Sequence, residues 1–365
     1  MLRAYKFQIY PTQEQQKLLI KTFGCVRFVY NKMLEERIEI YKESKSNTNT
    51  KRPLPTPAKY KKEFVFLKEV DSLSLSNAQL ELNKAYANFF RDPSIGFPKF
   101  KSKKTDRDSY TTNNQKGSVR IEGRKIKLPK VGYIKIKQHR TFVGLIKSTT
   151  ISMTKTGRFF VSLLVKQNEI VCPPAKNKIG IDLGLENFAI MTNDEMISEK
   201  VPNPRFLRKS EIKIKKAQRS MTRKKVGSKN REKAKVLLAK KHERITNQRK
   251  DFLHKLSKRI VDENQVIVVE TLKSKNMMKN KRLAKSIFDV SWFEFVRQLE
   301  YKSNFYGRSL IKADQWFASS QNCSSCGENS GKKKLNIREW TCQNCNSHHD
   351  RDINASINLL MLADA

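Results

Sequence analysis

Four of the six cysteines stand in one frame near the C-terminus: Cys323-Ser-Ser-Cys326, fifteen residues, then Cys342-Gln-Asn-Cys345. Two residues between cysteines let both thiolates of a tight turn reach one tetrahedral Zn²⁺, and two such turns close a four-thiolate site with no open position. Residues 318–349 are therefore expected to fold as a ribbon on one structural Zn²⁺ held by Cys323, Cys326, Cys342 and Cys345. Cys25 and Cys172 have no partner at ligand spacing and read as small core residues. With no secretory signal, and cysteines explained by metal rather than disulfides, a reducing, cytoplasmic compartment is expected. An acidic string, His349-Asp350-Arg351-Asp352, follows the second pair at once and sets carboxylates beside the ribbon.

The chain carries 75 Lys and Arg against 35 Asp and Glu, a formal net charge of +40, far beyond what solubility requires. A polyanion is the expected partner. A membrane is not, because no apolar run approaches the roughly eighteen residues a spanning helix needs. Between Arg205 and Arg259 there are 22 Lys and Arg against 4 Asp and Glu, with a break at Val226-Gly227-Ser228. That pattern predicts two long helices folded back on each other, or one kinked helix with a tail, with a phosphate-tracking face. His242 and His254 lie in it without ligand partners and are not expected to be catalytic.

Length and a 38% hydrophobic content support two or three domains. Tyr5, Phe7 and Ile9 alternate along an opening strand that Pro11 ends. Thr12 and Gln15 form a capping box, after which Leu18, Leu19, Val26, Val29, Tyr30 and Met33 fall at helical spacing. Residues 44–61 read as a loop, 78–90 as a helix, and 98–116, polar and basic around Tyr110, as an exposed loop facing nucleic acid or solvent. From Ser118 to Lys166 the apolar period becomes two, predicting an antiparallel sheet, expected as a small barrel with a helical insertion.

Three carboxylates stand out. In Gly180-Ile-Asp-Leu-Gly184 the apolar residues share one face of a strand with Ile179, and Asp182 shares the other with two glycines, read as clearing space for a metal ion or phosphate. Glu270 closes the run Gln265-Val-Ile-Val-Val, apolar on both faces as a covered central strand requires. Asp352 lies at the start of a helix marked by Ile353, Ile357 and Leu360. Three carboxylates are a set that could bind two Mg²⁺ or Mn²⁺ ions for phosphodiester hydrolysis, provided they converge.

The trio GIDLG, VIVVETL and HDRDINASINLL, with the CxxC pairs just ahead of the last, resembles the TnpB proteins of bacterial and archaeal insertion sequences, relatives of type V CRISPR nucleases. MLRAYKFQIYPTQEQ and FPKFKSKK resemble that family's N-terminal half, so the likeness spans most of the chain. It implies a multidomain α+β fold: an OB-like wedge β-barrel from 1–10 and 117–170, and a helical recognition insertion at 11–116. A RuvC-type, RNase H-like nuclease domain would follow from 171–317 and 350–365, with the basic segment 205–259 and the inserted ribbon 318–349. It further implies a monomer associated with the nucleoid, a guide RNA from the element end, and RNA-guided cleavage of double-stranded DNA next to a short flanking motif. Asp182, Glu270 and Asp352 would be catalytic, Asp352 rather than Asp350 because it keeps register with Asn354, Ala355 and Asn358, while Asp350 supports the helix start and Arg351 meets substrate phosphate. Asn346 replaces the glycine usual after the second cysteine pair. The alternatives are a catalytically silent guided repressor and a transposase acting on element ends.

Overall fold

Alternation of Tyr5, Phe7 and Ile9 builds β1 (Leu2–Tyr10), and the Thr12–Gln15 box starts α1 (Gln13–Ser46), each residue's backbone N–H donating to the other's side chain. The computed structural model describes residues 1–46, 52–104, 106–168, 173–334 and 336–364, so Cys172 lies outside the described residues. The chain divides into two units, Met1–Asn168 and Glu169–Ala365.

In the first unit α2 (Pro57–Glu63) and α3 (Ser72–Arg91) follow α1. Six strands then follow: β2 (Asp108–Asn113), β3 (Arg120–Glu122), β4 (Lys125–Leu128), β5 (Gly132–Lys137), β6 (Leu145–Met153) and β7 (Phe159–Lys166). With β1 they form an antiparallel sheet in the order β2-β6-β7-β1-β5-β4-β3, in which Phe7 faces Val161 of β7 and Ile9 faces Ile136 of β5. The period-two side chains Ile126, Ile134, Ile151 and Leu163 join one core with Leu19, Val29 and Met33 of α1 and Leu75 and Leu82 of α3, as a curled sheet closed by helices requires.

Two local expectations are corrected. The stretch 44–61 is not all loop: α1 runs to Ser46, and Pro57, favoured in a first helical turn, opens α2. Residues 47–51 lie outside the described residues. Residues 98–116 are not one exposed loop either, because Asp108–Asn113 pairs with β6 and places Tyr110, only 3% exposed, against Phe23 with ring centroids 5.7 Å apart. The charge of the preceding lysines masked a short run in which Tyr110 and Thr112 both point inward.

The second unit begins with β8 (Asn177–Leu183), β9 (Asn187–Asn193) and β10 (Ser198–Pro202), then α4 (Phe206–Thr222), α5 (Lys229–Glu263) and β11 (Asn264–Val269). α6 (Ser274–Met277), α7 (Ala284–Val290), α8 (Trp292–Tyr306) and β12 (Ser309–Lys312) precede the ribbon strands β13 (Glu339–Thr341) and β14 (His348–Asp350), and α9 (Arg351–Met361) follows. The main sheet runs β10-β9-β8-β11-β12, with β11 parallel to β8 and β12 and the rest antiparallel. Ile179, Ile181 and Leu183 face a core with Leu253 and Ile260 of α5 and Phe295 and Leu299 of α8, while Val268 meets Leu359 of α9 across the other face. This two-sided cover explains why β11 is apolar without alternation.

The basic segment forms the expected helix pair. Ile214, Ala217 and Ala234 are buried along α4 and α5, Gly227 turns at φ +83°, and the Ser228 hydroxyl accepts from Arg231 N at 3.1 Å to cap α5. Most of the lysines stay on the outer faces. No helix among the described residues is long and apolar enough to cross a membrane.

Candidate active site and metal ribbon

The site is built by the approach of α9 to the β-sheet. A Cβ at Gly180 would overlap the Ser356 carbonyl oxygen and lie 2.5 Å from the Leu360 amide nitrogen, so backbone meets backbone at that point. The Thr192 and Ser356 hydroxyls, 2.6 Å apart and buried, join β9 to the same helix. Gly180 is thus required for helix packing rather than for clearing space around Asp182, and Gly184 serves the β8–β9 turn, where a Cβ would sit 2.8 Å from the Asn187 carbonyl oxygen. The sequence shows a bare strand face, but not that a helix fills it.

That packing gathers the three acids electrostatically. Burial, then the Asp352 charge, push the Asp182 carboxyl from its usual 3.8 up to about 7, against a smaller opposing pull from Arg351. Glu270, one residue past β11, is driven well above the carboxylate range by burial and then by Asp182, although the Leu183 amide donates to its Oε1 at 2.6 Å. Among the described residues no Lys or Arg forms an ion pair with Asp182 or Glu270. Asp352, in the first turn of α9, accepts from Arg338 Nη1 at 3.1 Å, while Nη2 of the same arginine donates to Glu186 at 2.8 Å.

Asp350 caps α9, accepting from the Asp352 and Ile353 amides at 3.0 Å each. Burial would raise its carboxyl, yet Lys200, donating at 2.6 Å, and those amides hold it below the usual range. Arg351 donates to the Lys334 carbonyl at 3.1 Å. Two residues quoted above only for register have a clear task. Asn354 Nδ2 donates to Asn322 O at 2.7 Å, and Asn358 Nδ2 to Ser319 O at 2.7 Å, while the Ser324 amide donates to Asn354 Oδ1 at 2.9 Å. These asparagines, buried one turn apart, fix α9 to the start of the ribbon. Their signal was two amides at i and i+4 in an otherwise apolar run. Arg338, Glu186 and Lys200 carried no comparable signal.

The four ribbon thiols have ligand atoms all within 4.8 Å of one another, the one such cluster of three or more His, Cys, Asp or Glu among the described residues. Cys323 and Cys345 Sγ are 3.6 Å apart, and Cys326 and Cys342 Sγ 3.7 Å. A Zn–S bond of about 2.3 Å implies a tetrahedral edge of roughly 3.8 Å, so the donor set fits zinc. Gly327 and Asn346 occupy equivalent positions, each one residue after its cysteine pair. Their φ angles are +78° and +56°, and their amides return to Cys323 O at 2.8 Å and Cys342 O at 3.0 Å. Asparagine tolerates the left-handed region, so the missing glycine leaves the turn intact. Cys25 is buried in the first unit's core, as expected.

Cys342→Ser is expected to lower the metal content from one zinc per chain to well below one and to melt the ribbon, because structural zinc binding contributes ~10 kcal/mol or more to such small folds. Zinc released by a thiol reagent and counted with a chromogenic chelator checks the first; amide exchange over 318–349 checks the second. Full zinc content in the variant would show that these thiols do not form the site.

Fold and site together define a two-unit α+β protein in which a four-thiolate ribbon leads into a helix bearing Asp352, whose charge acts on Asp182 and Glu270. Residues 162–281 match a family model described as a probable transposase of the OrfB, IS605 type. Residues 1–46 match its helix-turn-helix domain, and residues 292–359 a Cas12f1-like TNB domain. A Streptomyces pristinaespiralis protein provisionally named RNA-guided DNA endonuclease is 40% identical over 98% of this chain and 88% of its own. The Escherichia coli K12 protein InsQ, provisionally named likewise, is 28% identical over 100% of this chain and 93% of its own. Among solved structures, the Cas12f1 chain of a complex with sgRNA and target DNA shares the fold, with a TM-score of 0.61 at 14% identity over 98% of each chain. The chain belongs to the TnpB family.

Proposed function

We propose that this protein is an RNA-guided endonuclease that cuts double-stranded DNA, with Asp182, Glu270 and Asp352 binding two Mg²⁺ or Mn²⁺ ions in a RuvC-type, RNase H-like domain. The observation that carries it is that Asp182 of β8, Glu270 at the end of β11 and Asp352 of α9 act on one another's charge, with no Lys or Arg among the described residues ion-paired to the first two. Repelling carboxylates held together without a counter-charge are costly unless something positive binds them. Divalent ions there would activate water and stabilise the leaving 3′ oxygen. The protein's own contribution is positioning: the Leu183 amide holds Glu270, Asp350 and the two asparagines hold α9, and Gly180 admits that helix to the strand.

In this reading the curled sheet, including its edge strand β2, is the OB-like wedge, the helices α1 to α3 are the recognition insertion, and both hold guide RNA together with the phosphate-tracking α4 and α5. Base pairing then chooses the target beside a short flanking motif read by the protein. The closed ribbon has no open coordination position and acts by placing Asp352. The protein would work as a cytoplasmic, nucleoid-associated monomer. A silent guided repressor would require Arg338 to keep Asp352 occupied, but such a half-exposed ion pair contributes only ~0.2–1 kcal/mol and yields readily to a metal.

RNA that co-purifies with the protein should be a discrete species. Replacing its guide segment should redirect Mg²⁺-dependent linearisation to a plasmid carrying the matching target. Absence of any discrete RNA, or cutting indifferent to the guide, would overturn guided cleavage. Strand-transfer products with element ends would point to a transposase instead.

A further inference from the structure

Arg351, the phosphate contact suggested by the sequence, donates to the Lys334 carbonyl. A different set of cations borders the carboxylates. A recess of about 540 Å³ in the second unit is lined by Arg205 and Arg208 at the start of α4, by Arg282 just ahead of α7, and by Arg338 of the ribbon. Arg338 ties the recess to the site: its Nη2 donates to Glu186, another lining residue, at 2.8 Å, and its Nη1 to Asp352 at 3.1 Å. The sheet explains this placement. β8 and β10 are both antiparallel to β9, and β11 is parallel to β8, so all three end at one edge. Glu270 leaves the sheet at that edge, and so do Glu186 after β8 and Arg205 after β10.

The acids that line the recess are already matched. Glu186 pairs with Arg338, Glu211 with Lys215 and Lys285, and the buried Asp289 with Arg249 at 2.8 Å. Asp289 also accepts from the Leu207 amide at 3.0 Å, so the end of α4 is satisfied and offers no anion site of its own. Arg205, Arg208 and Arg282 are exposed and form no ion pair among the described residues. Three unmatched guanidiniums around one recess call for an anion with several acceptor oxygens, and the guanidinium fork matches phosphate. The recess begins one guanidinium away from Asp352, where the proposed reaction holds a phosphodiester strand, and a strand running on from the scissile phosphate brings further phosphates with it. Its volume is that of a small-ligand pocket, which admits a nucleotide and not a duplex.

We propose that this recess holds a phosphodiester of the single DNA strand being cut, close to the scissile bond but not at it, with Arg205, Arg208 and Arg282 as its positioning residues. Phosphate contacts fix register without reading sequence, so the grip sets which bond lies over the carboxylates and leaves the choice of target to the guide. The arginines take no part in the chemical step. This deepens the nuclease reading above and rests on it.

The test uses the full chain with its guide RNA and Mg²⁺ on a synthetic target whose displaced strand is already unpaired and carries one neutral methylphosphonate, moved in turn through the positions flanking the cut. In the parent, one flanking position should reduce cleavage about tenfold or more. In the variant combining Arg205→Gln, Arg208→Gln and Arg282→Gln, the same methylphosphonate should cost about twofold at most, because the charge it removes is no longer met. The combined change should itself raise KM about ten- to a hundredfold, the product of three exposed charge pairs at about two- to fivefold each, with a smaller effect on kcat. If the triple variant does not fold, Arg282→Gln alone carries the same comparison at about two- to fivefold. Guide affinity should be unchanged. A variant that loses guide binding instead assigns the phosphate to the guide RNA and overturns the placement of the cut strand. Equal sensitivity of parent and variant at every methylphosphonate position overturns the recess assignment alone, whereas a parent that cuts no substrate overturns the nuclease reading beneath it.

Discussion

Asp182→Asn is expected to reduce guided plasmid cleavage by about 10³-fold or more, because metal-borne charge stabilisation is worth several kcal/mol and each 1.36 kcal/mol is a factor of ten. Binding of guide and target should persist, since Asp182 is on β8 and not among the exposed lysines of α4 and α5 that are proposed to track phosphates. The same change should raise the melting temperature of the metal-free protein. The folded-state pKa of Asp182 stands near 7, above its usual 3.8. Ionising it in the fold therefore costs stability, which is lost progressively as pH rises from about 4 to 7 and stays lost above. Asparagine removes that penalty, so the gap between variant and parent should grow across this window and be small at its acid end. Added Mg²⁺ should stabilise the parent and not the variant. Cleavage that survives in the purified variant would sink the assignment of Asp182. Lost cleavage with a lowered melting point would indicate damage to the fold instead.

Much of this site was legible because its parts obey local rules. Two residues between cysteines fix a zinc turn wherever it occurs, and a glutamate closing four successive apolar residues needs an explanation in any fold. The long helices of the basic segment followed from charge and one break at Gly227. What could not be read was what each face meets. Tyr110 was hidden because its strand is short and follows a run of lysines, so the period-two signal was swamped by charge. Arg338 reaches Asp352 from the ribbon hairpin, a contact set by tertiary closure and not by spacing. The buried asparagines of α9 looked like register marks because their partners, the carbonyls of Ser319 and Asn322, lie more than thirty residues upstream. Gly180 shows the same limit most clearly: its strand, its neighbours and its face were foreseen, and its reason was not.

Gly180→Ala separates the two explanations of that residue. If glycine served to clear the path of a metal or phosphate to Asp182, a methyl group would weaken catalysis and leave the metal-free fold unaffected. In the structure the methyl meets the backbone of α9 at Ser356 and Leu360, atoms that no rotamer change can move aside. Overpacking of this kind costs roughly 1–3 kcal/mol, and more where only backbone can yield. The melting temperature of the metal-free protein is therefore expected to fall by several degrees. Cleavage should fall too, about a hundredfold for a displacement near 1 Å, because Asp352 rides on the helix that must shift. Gly24→Ala supplies the contrast: it lies inside α1, a Cβ there meets nothing within 4 Å, and alanine should stabilise that helix by about 0.5–1 kcal/mol. Equal melting of Gly180→Ala and the parent would show that α9 does not rest on β8 at this point. The carboxylate convergence would then need a different support.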